Sequence, residues 1–109
     1  MLEFTDRKLA HAEVVAVKGR LDSATSRLLA AHCGGLPDAG FSCVVFDFSD
    51  LQFLSSEGLR TILGLSKRIR AGGGKLVFTG IRGPIRDMFD IAGFLEVFPV
   101  VDQVETGLA

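Results

Sequence analysis

The chain has 109 residues, nearly half of them hydrophobic, which suits a single compact domain over 1–109 with a sizeable core. Its 12 basic and 13 acidic side chains nearly cancel, so net charge gives no reason to expect direct binding to nucleic acid or to an anionic membrane. Apolar runs fall far below the roughly 20 residues that span a bilayer, and the N-terminal residues lack a secretory leader pattern, so we expect a cytoplasmic protein. Cys33 and Cys43 lack the close spacing of a zinc or redox pair and are predicted to be reduced core residues.

The N-terminal third of the chain predicts a hairpin followed by a helix. A β-branched run over 13–18 is typical of a strand, and a weaker extended segment over 2–5 can pair with it. The next pattern predicts a helix over 23–32. The side chain of Asp22 or Ser23 can accept hydrogen bonds from the first free N–H groups of that helix.

The middle of the chain predicts a buried strand that leads into a second helix. Glycines at 34–35 end the first helix, and a turn over 36–40 precedes an almost continuous apolar run over 41–48. Such a run suits a central strand that is covered on both faces. After a short loop, Ser55 or Ser56 begins the second helix. The apolar face of this helix is predicted, from spacings of three and four, to comprise Leu59, Ile62, Leu63, Leu65 and Ile69.

The remaining elements continue the alternation of strands and helices. Glycines over 72–74 end the second helix, and a buried strand follows over 75–79, which predicts a parallel crossover. A third helix over 83–92 has proline in its first turn, and a short extended piece over 97–100 precedes a final helical turn from Asp102. We therefore predict an α/β domain with a mixed, mostly parallel sheet of about four to five strands and about four helices.

Other polar side chains are assigned no chemistry. His11 and His32 lie far apart in the sequence without a matching set of ligands, so no metal site is predicted. Asp47 and Asp50 flank the end of a predicted strand, where carboxylates can serve acid–base catalysis or hold a metal. The simpler interpretation is that Asp47 points outward and that Asp50 caps or turns the loop.

The segment over 50–59 reads Asp-Leu-Gln-Phe-Leu-Ser-Ser-Glu-Gly-Leu and resembles the signature of STAS domains, the family of bacterial anti-sigma factor antagonists. The sequence Gly-Arg-Leu-Asp at 19–22 is similar to the Gly-x-Leu-Asp that opens the first long helix in that family. The sequence Gly-Gly-Lys-Leu at 73–76 is similar to the family's glycine turn into the next strand. The resemblance covers almost the whole chain and implies a single STAS-type α/β domain.

The resemblance implies a partner switch and not an enzyme, with no catalytic residue and no cofactor. Family members bind an anti-sigma factor that is also a serine kinase, and the sigma factor is released while they hold it. Phosphorylation by that kinase ends the binding, and a metal-dependent serine phosphatase restores it. The position of the phosphorylated serine corresponds to Ser56, with Ser55 as the second choice because many members have Asp there.

A serine at a helix start suits this role on physical grounds. The first N–H groups of a helix lack internal partners and carry partial positive charge, so a phosphate on Ser56 would lie in favourable surroundings. A charge of about −1.5 to −2 nevertheless opposes burial in an interface, where a penalty of ~3 kcal/mol weakens binding more than a hundredfold. Glu57 is favourable to the helix dipole but repels a neighbouring phosphate, and Gly58 would let a partner approach the first turn closely. The expected partner surface comprises Asp22, Ser23, Ser55, Ser56, Glu57, Gly58 and Arg60.

Other interpretations of these residues stay open. A serine before an apolar run is commonly only a helix cap, and Asp22 can cap the first helix as well as contribute to a docking surface. An enzyme with Ser56 as nucleophile is disfavoured because the flanking residues do not form a Gly-x-Ser-x-Gly elbow. Nucleotide binding at 72–74 is disfavoured because these glycines follow a helix and precede a strand, the reverse of a phosphate loop. The main alternative is a STAS module of another signalling assembly, in stress sensing or secretion regulation and with or without a bound nucleotide, that does not act on a sigma factor.

Overall fold

The computed structural model describes residues 2–9, 12–33 and 43–101. Within these ranges the chain forms a six-stranded sheet and four helices. The strands are β1 (Leu2–Lys8), β2 (Ala12–Leu21), β3 (Cys43–Asp47), β4 (Leu51–Leu54), β5 (Lys75–Thr79) and β6 (Val100–Val101). The helices are α1 (Ser26–His32), α2 (Ser56–Ala71), α3 (Gly83–Ile91) and α4 (Phe94–Val97).

The sheet is mixed and mostly parallel. Its order is β1-β2-β3-β5-β6, and β4 pairs with β2 beyond the end of β3. The strands β1 and β2 form the predicted antiparallel hairpin, whereas the other described pairs are parallel. The predicted fold class is therefore confirmed, and the described sheet has one strand more than the sequence predicted.

Apolar side chains from the helices and from one face of the sheet form the larger of two core clusters. The parallel strand–helix–strand crossover places α2 on this face, where Ile62, Leu65 and Ile69 are buried. Phenylalanine rings from the β3, β5, α3 and α4 regions contact one another in offset or edge-on arrangements, with centroids 5.0 to 6.3 Å apart. The second cluster lies on the opposite face of β2, β3 and β5, so these central strands are buried on both faces. In the described part of the chain, no helix has the length and apolar character needed to cross a membrane.

Both cysteines are buried free thiols, as the sequence predicted. Cys33 packs in the larger core cluster and Cys43 in the smaller one, so they lie on opposite faces of the sheet. Burial raises the pKa of the Cys33 thiol to about 12 and also raises the pKa of Cys43. Neither thiol therefore ionises near neutral pH, and both serve as small core residues.

The connection before α2 is the clearest correction to the sequence interpretation. It was predicted to be a short loop, but Leu51–Leu54 forms β4 and pairs in parallel with the end of β2. The register between the two strands shifts between Gly19 and Arg20. Because of this irregularity, Leu51 and Leu54 are buried while the residues between them are exposed, so the strand lacks the alternation that reveals most half-buried strands.

The first two predicted helices also differ in detail from the structure. The first helix begins at Ser26 rather than near Ser23, because residues 23–25 form a hydrogen-bonded turn before it. Leu63, which was placed on the apolar face of the second helix, is 37% exposed. Ser66 is buried on that face instead, and its hydroxyl donates to the Leu63 carbonyl at 2.7 Å, which satisfies it.

Near the C-terminus, the extended piece predicted over 97–100 is wrong in part. Val97 belongs to α4, which follows a left-handed glycine at Gly93, and the strand is limited to Val100–Val101. The packing of Phe94 and Phe98 against the phenylalanine cluster stabilises the helical turn. The predicted turns and glycines over 34–40, the strand start at 41–42, His11 and the final turn from Asp102 lie outside the described residues.

Candidate functional site

The start of α2 and the turn before α1 meet at one edge of the sheet. Leu21 and Leu54 are register partners at the carboxyl ends of the parallel strands β2 and β4. The next residues in each strand are Asp22 and Ser55, and the Ser55 N–H donates to the Leu21 carbonyl at 2.9 Å. The fold therefore brings together two segments of the predicted partner surface that are far apart in the sequence.

Ser55 is the N-cap of α2. Its backbone is extended, with φ −96° and ψ 170°, and its hydroxyl oxygen accepts a hydrogen bond from the Gly58 N–H at 3.2 Å. Its carbonyl accepts from the Leu59 N–H at 3.0 Å, and the side chain is half-buried. The hydroxyl of Ser55 is thus already used to satisfy the helix terminus.

Ser56 differs from Ser55 although the two are adjacent. It is the first residue of α2 and is exposed, and within the described part of the chain its hydroxyl makes no hydrogen bond. The free N–H groups and the positive end of the helix dipole lie beside it. Of the two serines, Ser56 is the one whose hydroxyl is exposed and makes no hydrogen bond in the described structure.

Glu57 and Arg60 form an ion pair on the first turn of α2. Arg60 Nη1 donates to Glu57 Oε1 at 3.1 Å, and the side chains are 75% and 48% exposed respectively. Pairs this exposed contribute at most about 1 kcal/mol and exchange readily with solvent. The pair is therefore a labile feature of the surface.

Gly58 is explained by contacts inside the domain. A Cβ at this position would lie 2.8 Å from Leu54 Cδ1, 2.9 Å from the Leu21 carbonyl oxygen and 3.0 Å from Leu21 Cγ. The residue is buried, whereas the sequence interpretation related the missing side chain to the approach of a partner. The absence of a side chain instead lets the first turn of α2 pack directly on the ends of β2 and β4.

Asp22 organises the turn that leads into α1. Its Oδ1 accepts from the backbone N–H groups of Ala24 and Thr25 at 3.0 and 3.1 Å. The Thr25 N–H is the main cause that lowers the pKa of this carboxyl, and the Thr25 hydroxyl and Arg20 lower it further. Asp22 thus holds the turn over 23–25 and does not cap α1 as the sequence suggested, because the N-cap is Thr25 and no described side chain caps that helix start. The neighbouring Ser23 is exposed.

Arg20 and Phe53 extend this surface, and the sequence interpretation missed both. The Arg20 guanidinium lies 4.2 Å from the centroid of the Phe53 ring, and Arg20 Nε is 3.9 Å from Asp22 Oδ2. An exposed cation–π contact of this kind contributes about 0.5–1 kcal/mol. The two residues are neighbours only because β4 pairs with β2, so a prediction of β4 would have been needed to find them.

The family model of the STAS domain matches residues 5–107 of the chain. The chain belongs to the STAS domain family. Its sequence is 32% identical over 108 residues to BtrV of Bordetella bronchiseptica, which is named as a candidate anti-sigma factor antagonist. This match covers 99% of the chain and 93% of that protein.

Solved structures share the fold of this STAS domain. An anti-sigma factor antagonist from Mycobacterium paratuberculosis has a TM-score of 0.87 at 23% identity, with 99% of this chain and 92% of that chain covered. The phosphorylated form of the Bacillus cell fate determinant SpoIIAA has a TM-score of 0.74 at 19% identity, with 97% and 96% covered.

Asp47 and His32, two of the polar residues to which the sequence assigned no chemistry, have structural contacts. Asp47 Oδ1 accepts from the Ser49 N–H at 2.9 Å and from its hydroxyl, which shapes the turn before β4. His32, at the end of α1, contacts the Asp6 carboxylate at 2.8 Å and stacks on the Phe4 ring. In the described ranges, no group of three or more His, Cys, Asp or Glu side chains is placed to hold a metal ion.

The turn that Asp22 holds gives a prediction about pH. Its carboxyl is expected to titrate below the ordinary value of 3.8. Because the pKa of Asp22 is lower in the folded state than in the unfolded state, its carboxylate stabilises the fold fully above the unfolded-state pKa. This stabilisation is lost as the pH falls through the folded-state pKa. Thr25→Val removes the hydroxyl but keeps the N–H, so it should raise the pKa only part of the way. Carboxyl ¹³C NMR titration measures the pKa of Asp22 in the parent protein and in Thr25→Val, with Thr5→Val on β1 as a control. A titration midpoint at or above 3.8 would contradict the assignment.

Proposed function

We propose that this STAS domain is a phosphorylation-controlled partner switch that acts as an anti-sigma factor antagonist in the cytoplasm. The unmodified surface at the starts of α1 and α2 binds an anti-sigma factor that is also a serine kinase, and the kinase then releases its client. Phosphorylation of Ser56 disrupts this binding. A serine phosphatase removes the phosphate and restores it.

The contrast between the two serines supports the assignment of the acceptor. Ser55 is half-buried and its hydroxyl caps the helix through the Gly58 N–H. Ser56 is exposed and its hydroxyl is unengaged in the described structure. A kinase can reach the hydroxyl of Ser56 without breaking the cap, and this observation carries the proposal.

The fold would tolerate the modified state. A phosphate on the first helical residue lies beside free N–H groups and the positive end of the helix dipole, which stabilise its charge. Modification therefore need not unfold α2. The charge would act at the interface, where a partner that packs on the helix start would have to desolvate it.

The partner surface is proposed to include exposed or half-buried side chains from both helix starts. Asp22 and Ser23 contribute from the turn before α1, and Ser55, Glu57 and Arg60 surround Ser56. Gly58 contributes indirectly, because its close packing on Leu21 fixes the position of the first turn. The exposed pair of Arg20 and Phe53 adds a cation and an aromatic ring next to Asp22.

The comparisons support this role. A relative that is 32% identical is named as a candidate anti-sigma factor antagonist, and solved structures with the same fold include anti-sigma factor antagonists. One of the similar structures is a phosphorylated form. These relatives favour an anti-sigma factor as the partner over a component of another signalling assembly.

Phosphorylation by the cognate kinase tests the proposal. Incubation with the kinase and ATP is expected to add one phosphate to the peptide that contains Ser56, and Ser56→Ala should abolish the labelling. Ser55→Ala is the matched control, because it removes the neighbouring hydroxyl and a helix cap worth about 1 kcal/mol but leaves the acceptor. Fragmentation mass spectrometry locates the phosphate. Labelling that persists in Ser56→Ala would refute the assignment.

A further inference from the structure

Arg60 lies where it can pair with either of two anionic groups at the start of α2. Its Nη1 donates to Glu57 Oε1 at 3.1 Å in the unmodified protein. Ser56 precedes Arg60 by four residues on the same helix, so the two side chains lie on one face with Cβ atoms about 5–6 Å apart. A phosphate on Ser56 would therefore come within reach of the Arg60 guanidinium.

The present partner of Arg60 holds it only weakly. The ion pair with Glu57 is solvent-exposed on both sides, and Arg60 makes no other hydrogen bond or ion pair in the described structure. A phosphate has greater negative charge than a carboxylate and three acceptor oxygens, which a guanidinium can bind through two parallel hydrogen bonds. Arg20, the other cation that the fold brings to this site, is already engaged with Phe53 and Asp22.

We propose that Arg60 exchanges Glu57 for the phosphate when Ser56 is modified. This inference rests on the proposed phosphorylation of Ser56 and adds how the site responds to it. The exchange leaves the Glu57 carboxylate without its partner, so the modified surface presents two anionic groups where the unmodified surface presents a neutral pair. The exchange thereby places part of the unpaired negative charge on Glu57, while the total change in charge remains that of the phosphate.

The experiment uses protein in which phosphoserine is incorporated at position 56 during translation, so no kinase is needed. Phosphorus NMR follows the second ionisation of the phosphate, whose pKa is ordinarily about 6. Arg60→Gln should raise this pKa by roughly 0.5 to 1 unit, because the dianion loses a nearby cation. Glu57→Gln should lower it, because the competing carboxylate is removed. Lys67→Gln is the matched control, since it removes an equal charge from the same helix roughly 16 Å from Ser56.

The outcomes separate this inference from the proposed function. Equal phosphate pKa values in the Arg60→Gln and Lys67→Gln proteins would overturn the exchange. An unchanged or higher value in Glu57→Gln would also overturn it, because Glu57 would then not compete for the guanidinium. The expected shifts, found in a protein that no anti-sigma factor kinase modifies, would uphold the exchange and refute the proposed function.

Discussion

Phosphoserine at position 56 is expected to weaken the complex with the anti-sigma factor by more than a hundredfold, which corresponds to a penalty of ~3 kcal/mol. The cost arises because a partner packed on the start of α2 must desolvate a charge of about −1.5 to −2. Ser56→Asp carries a single charge and should weaken binding in the same direction by a smaller factor. Isothermal calorimetry on the unmodified, Ser56→Asp and phosphoserine proteins measures the series.

Gly64→Glu is the matched control for this charge effect. Gly64 lies on the same helix, is exposed, and has nothing within 4 Å of an added Cβ, so the substitution adds a negative charge without a clash. We expect it to leave the affinity nearly unchanged. An equal loss of affinity in Gly64→Glu and Ser56→Asp would mean that net charge, and not the position of Ser56, controls binding.

Gly58→Ala is expected to destabilise the domain by about 1–2 kcal/mol. This value is the free-energy cost of overpacking a tight site, reduced by the gain in helix propensity that alanine brings. The added Cβ would lie 2.9 Å from the Leu21 carbonyl oxygen, which is backbone and already accepts from Ser55. The start of α2 must therefore shift away from β2. Thermal unfolding should show a midpoint lower by roughly 5–10 °C.

Gly64→Ala is the matched comparison, and it is expected to change the stability of the domain in the opposite direction. This exposed glycine is in the interior of the same helix and has open space around it, so alanine should stabilise the domain by about 0.5–1 kcal/mol. The two substitutions are chemically identical and differ only in what the new methyl group meets. A Gly58→Ala protein as stable as the parent would contradict the packing that fixes the helix start.

Much of the fold could be predicted because the decisive signals are local. Apolar runs predicted β3 and β5, and the spacing of apolar residues predicted α2 with serines at its start. The assignment of Ser55 as cap and Ser56 as first helical residue required the structure, since both serines satisfy the sequence pattern for a helix start. The difference lies in which hydroxyl faces the Gly58 N–H.

The rest of the site depends on contacts between segments that are distant in sequence. The strand β4 has four residues, and its pairing with β2 shifts register between Gly19 and Arg20, so no alternation marks it. The contact between Arg20 and Phe53 follows from that pairing, as does the packing of Gly58 on Leu21. Sequence patterns report the face that a residue presents and not the neighbour that it meets across a sheet.

The most direct test of the switch is to follow release of the anti-sigma factor and modification of this domain in one reaction. The unmodified domain is mixed with its anti-sigma factor, ATP is added, and native mass spectrometry records the complex, the free domain and its phosphate content over time. We predict that the complex disappears at the rate at which one phosphate appears on Ser56, and that the Ser56→Ala complex persists. A complex that survives with Ser56 phosphorylated, or that dissociates equally fast in Ser56→Ala, would contradict the proposed switch.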